Sequence, residues 1–169
     1  ASHTSVGGLK WAHLLVVGLA EPFSLLPAQL PLDLTDGHAE YVAWRSFPSN
    51  RTRTAQPFSV GSVGADARSR AASPAFANPT PLQLEPCNYS DFGLFHLAPV
   101  LLQMSNAKLA LLGEAAKVVP VSVHRFAEVA VQPTDVTVTL RGDPGEAVTL
   151  EFAMAPSGSG TWDVSTVQC

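Results

Sequence analysis

Short runs in which every second residue is a large apolar one, joined by turn residues, fill the C-terminal third of the chain. In VTVTL at 136–140 valine or leucine alternates with threonine, and AVTLEFAM at 147–154 has large apolar residues at every second position. Between them, GDPGE places Pro144 and Gly145 where a type II turn requires its two central residues. A period of two puts successive side chains on opposite faces of a strand. Short strands at such spacing predict an all-β fold, an antiparallel β-sandwich.

Other segments fit the same fold. The residues that alternation predicts to face inward are Val136, Val138, Leu140, Val148, Leu150, Phe152 and Met154. Further strands are predicted at Trp11–Leu19, at Ala39–Trp44 and in FAEVAVQ at 126–132, and VVPVSV at 118–123 is predicted to be extended. SNAKLALLGEAAK at 105–117 fits either one short helix or a strand, LALLG, followed by a turn, EAAK.

The segment DFGLFHLAPVLL, residues 91–102, is apolar on both faces. One predicted face carries Phe92, Leu94, His96, Ala98 and Val100, and the opposite face carries Phe95, Leu97 and Leu101. Apolar residues on both faces are typical of a strand that is covered on both sides. His96 has no acid or hydroxyl near it within the strand, so we expect a neutral, structural histidine that bonds a backbone carbonyl.

Residues 45–86 interrupt the strand pattern with a long loop rich in Pro, Ser and Ala. Phe58–Val60 and Leu82–Leu84 are the parts of this loop predicted to be ordered. The sequence otherwise predicts a single β-sandwich domain over residues 1–169. The low charged fraction, 14%, and the absence of a basic cluster with interleaved aromatics argue against nucleic acid as a partner.

Two cysteines and two glycosylation sequons favour a secreted or lumenal protein, whether extracellular, lysosomal or vacuolar. A disulfide between Cys87 and Cys169 is predicted, and it would contribute up to about 4–5 kcal/mol by restricting the unfolded chain. The sequons are at Asn50 and Asn88. Residues 11–20 read either as a buried strand, which we favour, or as the remnant of a signal peptide, and they are too short for a transmembrane helix.

The sequence shows no arrangement typical of catalysis or metal binding. DLTDGHAE at 33–40 is its densest polar cluster, but its spacing matches no closed zinc pattern and suits turns better. We therefore expect no catalytic residue, metal or cofactor in this chain. Trp162 and Trp44 are the rings on which a sugar is predicted to stack, if the chain binds carbohydrate.

The order of the strands resembles a known family. YSDFGLFHLAPVL, LALLGEAAKVVPVSVHRFAEVAV and VTVTLRGDPGEAVTLEFAM, preceded by LPLDLTDG and AEYVAWRSF, resemble the C-terminal β-sandwich of glycoside hydrolases of the α-galactosidase and raffinose-synthase type. The resemblance covers about residues 14–169. In that family the catalytic carboxylates belong to a preceding (β/α)₈ barrel, which needs about 250 residues, so no catalytic residue carries over.

The resemblance implies a non-catalytic accessory sandwich, as a domain or subunit of a secreted or lumenal carbohydrate-active protein. Its expected partner is another protein domain or subunit, with a glycosidase barrel as the implied example, and carbohydrate is a further expected ligand. Two alternatives remain open at this point. One is a free-standing secreted carbohydrate-binding module, and the other is a structural subunit of an extracellular or lumenal assembly.

Overall fold

The structure is a computed structural model that describes residues 1–30, 34, 40–47, 55–60, 79–104, 106–156, 159 and 161–169. The regular secondary structure of its described part is almost wholly antiparallel strands, in sheets that pack against each other, which confirms the all-β sandwich. The strands are β1 Ser2–Val6, β2 Leu9–Val16, β3 Phe23–Leu25, β4 Glu40–Phe47, β5 Ala55–Ser59, β6 Leu82–Leu84, β7 Gly93–Gln103, β8 Ala107–Glu114, β9 Phe126–Val131, β10 Val136–Leu140, β11 Thr149–Pro156 and β12 Asp163–Gln168. A 3₁₀ turn, Pro27–Gln29, follows β3.

Strand β7 belongs to both halves of the main sheet. Its first part pairs with β2 on one side and β4 on the other, and its last residues pair with β8. The pairing with β8 shifts register between Val100 and Leu102. Strands that pass from one sheet to another commonly do so at such irregularities. The bend therefore carries the chain from the β1-β2-β7-β4-β5 layer to the β8-β11-β12 layer.

Two hydrophobic clusters lie on opposite faces of the β2-β7-β4 region. Cluster 1 contains Trp11, Trp44 and Leu111 and extends to the β9-β10 hairpin. Cluster 2 contains Tyr41, Phe58 and the β3-β6 pair. Because both faces of this layer are covered, β7 is apolar throughout, as the sequence predicts. The faces also match, since Ala98 and Val100 lie in cluster 1 whereas Phe95 and Leu97 lie in cluster 2.

The predicted facing of two side chains, Leu101 and Met154, is wrong, and each lies beside a bulge. Leu101 joins cluster 1 together with Val100, because the register shift in β7 breaks the alternation there. In β11 a shift between Glu151 and Phe152 changes the phase, so that Ala153 is buried and Met154 is 46% exposed. The inward positions of β10 are confirmed, since Val136, Val138 and Leu140 pack on cluster 1.

The described part of the segment 105–117, residues 106–117, forms strand β8 and a turn, so the helix alternative is wrong. Gly113 takes φ +113° there, a conformation that a helix does not contain. The prediction of an extended 118–123 is also wrong, because these residues form a bent connection between β8 and β9. Pro120, which has no N–H for a ladder, instead accepts a bond from Glu114 N at 2.8 Å.

The predicted ordered parts of the long loop are present as β5 and β6. Strand β4 also extends three residues beyond the predicted Trp44, to Phe47. Residues 11–20 supply most of β2, so the strand interpretation of that segment is confirmed.

The predicted disulfide is contradicted, because both cysteines are free and not within bonding distance. Cys87 is buried beside the end of β2, where its backbone bonds Leu19 O and its thiol donates to Val16 O at 3.4 Å. Cys169 is exposed and pairs with Val148 at the start of β11. A disulfide needs Cα atoms within about 7 Å, and these two residues are fixed to strands of different layers.

Candidate binding pocket beside a buried histidine pair

A row of ring side chains crosses three strands of the main sheet. His96 on β7 lies directly opposite His13 on β2 and opposite Trp44 on β4. Residues opposite each other in adjacent strands share a face. The ring centroids of His96 lie 5.0 Å from those of both neighbours. The register of the sheet thus brings together two histidines that are 83 residues apart in sequence.

A chain of hydrogen bonds runs through this row. His13 Nδ1 lies 2.8 Å from His96 Nδ1, and His96 Nε2 lies 2.7 Å from Ser46 Oγ. At the other end, His13 Nε2 lies 3.4 Å from Thr4 Oγ1. The prediction that His96 is neutral and structural agrees with this setting, but its partners are side chains rather than a backbone carbonyl.

Both histidines are held in the uncharged form. Burial, with a further contribution from His13, lowers the pKa of His96 to about 3. Burial, together with the nearby His3, also lowers the pKa of His13. A protonated imidazole would carry a proton on both ring nitrogens, so the Nδ1–Nδ1 contact requires at least one neutral ring. Near neutral pH the row is a chain of neutral donors and acceptors.

Ser46 owes its position to a bulge in β4. Arg45 pairs with Phe95 and Phe47 pairs with Leu94, which leaves Ser46 as the extra residue of the longer strand. Bulges redirect side chains and often occur beside functional sites. The hydroxyl lies 2.7 Å from His96 Nε2 and 3.3 Å from Leu94 O.

Ser46 contributes to the wall of an open pocket of about 660 Å³, which we call the Ser46 pocket. Its lining is mostly apolar. The lining residues are Leu15, Trp44, Ser46, Phe92, Leu94, Glu114, Ala116, Lys117, Val118, Pro120 and Glu151. Glu114 is paired with Arg125 at 3.1 Å and with Lys117 at 3.5 Å. The pocket therefore combines apolar walls, one serine hydroxyl and a few charged groups.

A second, polar depression of about 640 Å³ lies on the other side of the 114–117 turn. Its centre is Arg125, which donates to both carboxylate oxygens of Glu146 and to Glu114. The hydrogen bond from Arg125 lowers the pKa of Glu146 to about 2, and that from Glu146 raises the pKa of Arg125. Because these groups satisfy one another, we interpret them as a fastening between the 141–146 turn and β8.

The tryptophans are not where the sequence places them. Trp162 and Trp44 are 6% and 3% exposed, so the expected open rings for sugar stacking are wrong. Trp162 bridges to Ala55 and packs in cluster 1. Trp11 is also buried, and its indole N–H donates to Leu111 O at 2.8 Å across the sandwich. These rings are part of the core that joins the two layers.

Of the two sequon asparagines, Asn88 lies in the described part of the chain. Asn88 is exposed, and its Oδ1 accepts bonds from the backbone of Ser90 and of Asp91, which fixes a turn. An exposed turn can present an asparagine for glycosylation. Asn50 lies outside the described residues, as do Asp33, Asp36 and His38 of the polar cluster, whereas Glu40 is described and pairs with Lys108 at 2.6 Å.

Within the described ranges, no three His, Cys, Asp or Glu side chains are grouped as a metal site would need. A search of the same ranges finds no helix with the length and apolarity that a membrane crossing requires.

Comparison with known proteins gives no relative. No protein-family model, no curated protein and no solved structure matches the chain.

Sequence reasoning missed the histidine pair and Ser46. Nothing in the local sequence around His13 points to His96, because only the β2-β7 register joins them. The available signal was the isolated histidine in each of two apolar strands, which suggests that each needs a polar partner in the core. Ser46 carried no signal, since its direction depends on a bulge.

Proposed function

We propose that this chain is a non-catalytic accessory β-sandwich, a domain or subunit of a secreted or lumenal carbohydrate-active protein of the glycoside hydrolase type. Its role is to dock against the catalytic domain or subunit. The proposal rests on the resemblance to the sandwich of α-galactosidase-type and raffinose-synthase-type enzymes and on one surface feature. That feature is the connection between β8 and β9.

Residues 117–124, which we call the valine segment, carry three exposed large apolar side chains within six positions. Val118, Val119 and Val123 are 73%, 46% and 52% exposed. Apolar side chains grouped on a surface often mark an interaction site. The number of exposed apolar side chains in this one short connection is the observation that carries the proposal.

The valine segment is firmly held, so it can bind a partner without a large loss of conformational freedom. Val121 is fully buried in cluster 1. Pro120 O accepts from Glu114 N, and Arg141 donates to Val123 O. The exposed valines therefore project from a connection that is fixed at both ends, which suits a permanent interface.

The experiment isolates the tagged chain from its natural source and measures the native mass and the α-galactoside hydrolysis of the resulting particle. We expect a particle heavier than the 17.8 kDa chain, with hydrolysis supplied by the second component. The double variant Val119→Asp/Val123→Asp buries two charges in the interface, and we expect at least about a tenfold loss of associated activity.

The matched control is Val167→Asp on β12, where the valine is 50% exposed and lies two strands from β8 in the sheet order. We expect this variant to retain the heavy particle and its activity. Recovery of a 17.8 kDa species alone, or equal loss in both variants, contradicts the proposal. α-Galactoside turnover by the purified chain itself also contradicts it.

The alternative of a free-standing carbohydrate-binding module has less support. That alternative expected open tryptophan rings, and the described tryptophans are buried in the core.

A further inference from the structure

The Ser46 pocket has the dimensions of a small-molecule site. Ligand pockets in proteins commonly have volumes of roughly 300–1,000 Å³, apolar walls and a few well-placed polar groups. This pocket has about 660 Å³, and Leu15, Phe92, Leu94 and Val118 contribute to its walls. It is therefore large enough for a ligand of one or two rings.

The hydrogen-bond chain determines whether the Ser46 hydroxyl can donate to a ligand or accept from it. In one arrangement Ser46 donates to His96 Nε2, His96 Nδ1–H donates to His13, and His13 Nε2–H donates to Thr4. In the reverse arrangement His96 donates to Ser46, and Ser46 donates to Leu94 O at 3.3 Å. Both arrangements place a hydrogen on the 2.7 Å contact between Ser46 Oγ and His96 Nε2, and in both the hydroxyl hydrogen of Ser46 is used within the protein. Because a hydroxyl oxygen has two lone pairs, at least one of them stays free to accept in either arrangement.

The charged groups of the lining are already engaged within the protein. Glu114 is paired with Arg125 and Lys117. Glu151 is 8% exposed and also makes interactions within the protein. A charged ligand would have to displace these contacts or enter a mostly apolar space without a counter-ion, which is costly. An uncharged ligand meets neither cost.

We propose that the Ser46 pocket binds a small, uncharged, largely apolar molecule that carries a hydroxyl group, and that this hydroxyl donates a hydrogen bond to Ser46 Oγ. His96 or the carbonyl of Leu94 engages the Ser46 hydrogen, so that Oγ acts towards a ligand as an acceptor. This proposal does not rest on the accessory role proposed above: the site shares Lys117, Val118 and Pro120 with the valine segment, but neither Val119 nor Val123 lines it.

The test compares 2-naphthol with 2-methoxynaphthalene by isothermal titration calorimetry on the full chain. The two probes have similar bodies, but only the first can donate. We expect both to bind and 2-naphthol to bind about fivefold more tightly, the value of one ordinary hydrogen bond. Ser46→Ala should reduce this ratio to about one while 2-methoxynaphthalene still binds. The control Ser165→Ala changes a half-buried strand serine outside the pocket and should keep the ratio.

Three results overturn the proposal: neither probe binds, the ratio survives in Ser46→Ala, or the cation of naphthalen-2-ylmethanamine binds more tightly than 2-naphthol. Binding of 2-methoxynaphthalene to Ser46→Ala reports that the variant is folded. If that variant does not fold, Ser46→Cys, whose thiol is only a weak acceptor, takes its place. We expect the ratio to fall in Ser46→Cys as well, and an unchanged ratio there overturns the assignment of Ser46 as acceptor.

The proposal of a ligand site and the proposal of a docking surface can be refuted independently of each other. Val119→Asp/Val123→Asp should lose the partner and keep the preference for 2-naphthol. Ser46→Ala should lose that preference and keep the partner.

Discussion

At the scale of single residues, the buried histidine pair should govern stability in mild acid. The folded pKa values of His96 and His13 lie below the ordinary value of 6.5. The unfolded chain therefore binds more protons than the folded protein as the pH falls below 6.5, and stability is lost in that direction. The contribution of the pair is fully present above about pH 6.5, and the loss due to His96 continues to about pH 3.

We predict that the titration of His96 lowers the free energy of unfolding in urea by up to about 1.4 kcal/mol per pH unit between pH 6 and pH 4. His13 should add a fall in the same direction. His96→Gln, which keeps a hydrogen-bonding side chain, should flatten this slope. The exposed His124 offers the control, since His124→Gln should leave the slope unchanged. The pKa of Glu146 is lowered from its ordinary value of 4.5, so its protonation affects the free energy of unfolding mainly below pH 4.5. An unchanged slope in His96→Gln would refute this account.

At the scale of elements, the end of β8 depends on one glycine. A Cβ on Gly113 would lie 2.6 Å from the backbone of Pro120, and its φ of +113° is strained for any L side chain. We predict that Gly113→Ala lowers the free energy of unfolding by about 2–3 kcal/mol. Gly145→Ala is the matched control: its φ is +83° but no atom lies within 4 Å, so about 1 kcal/mol is expected. Chemical denaturation measures both, and equal losses would show that the contact with Pro120 is unimportant.

The same element scale shows what the sequence can and cannot predict. Alternation found most strands and the inward face of β10, because each strand there has one buried face. It failed for Met154 and Leu101 because a bulge shifts the phase by one residue, and no local pattern announces a bulge. It also missed the partnership of His13 and His96, since strand register is a property of the folded sheet. The predicted exposure of Trp162 was wrong. Its position after a Gly/Ser-rich loop favours exposure, but the folded chain packs its ring into cluster 1.

At the scale of the whole molecule, we propose that the valine segment of this sandwich belongs to an interface. The two layers are joined by cluster 1, and the exposed valines lie on the connection that leaves it. The Ser46 pocket opens beside that connection through Val118. Binding sites often occur where two domains meet, so a ligand pocket beside a docking surface is a consistent arrangement.

The most direct measurement of the central claim is amide hydrogen exchange, followed by mass spectrometry, on the free chain and on the assembly isolated from its source. We predict that slower exchange in the assembly is concentrated in peptides covering residues 117–125, with β12 unchanged. Unchanged exchange in 117–125, or protection confined to β12, would contradict it.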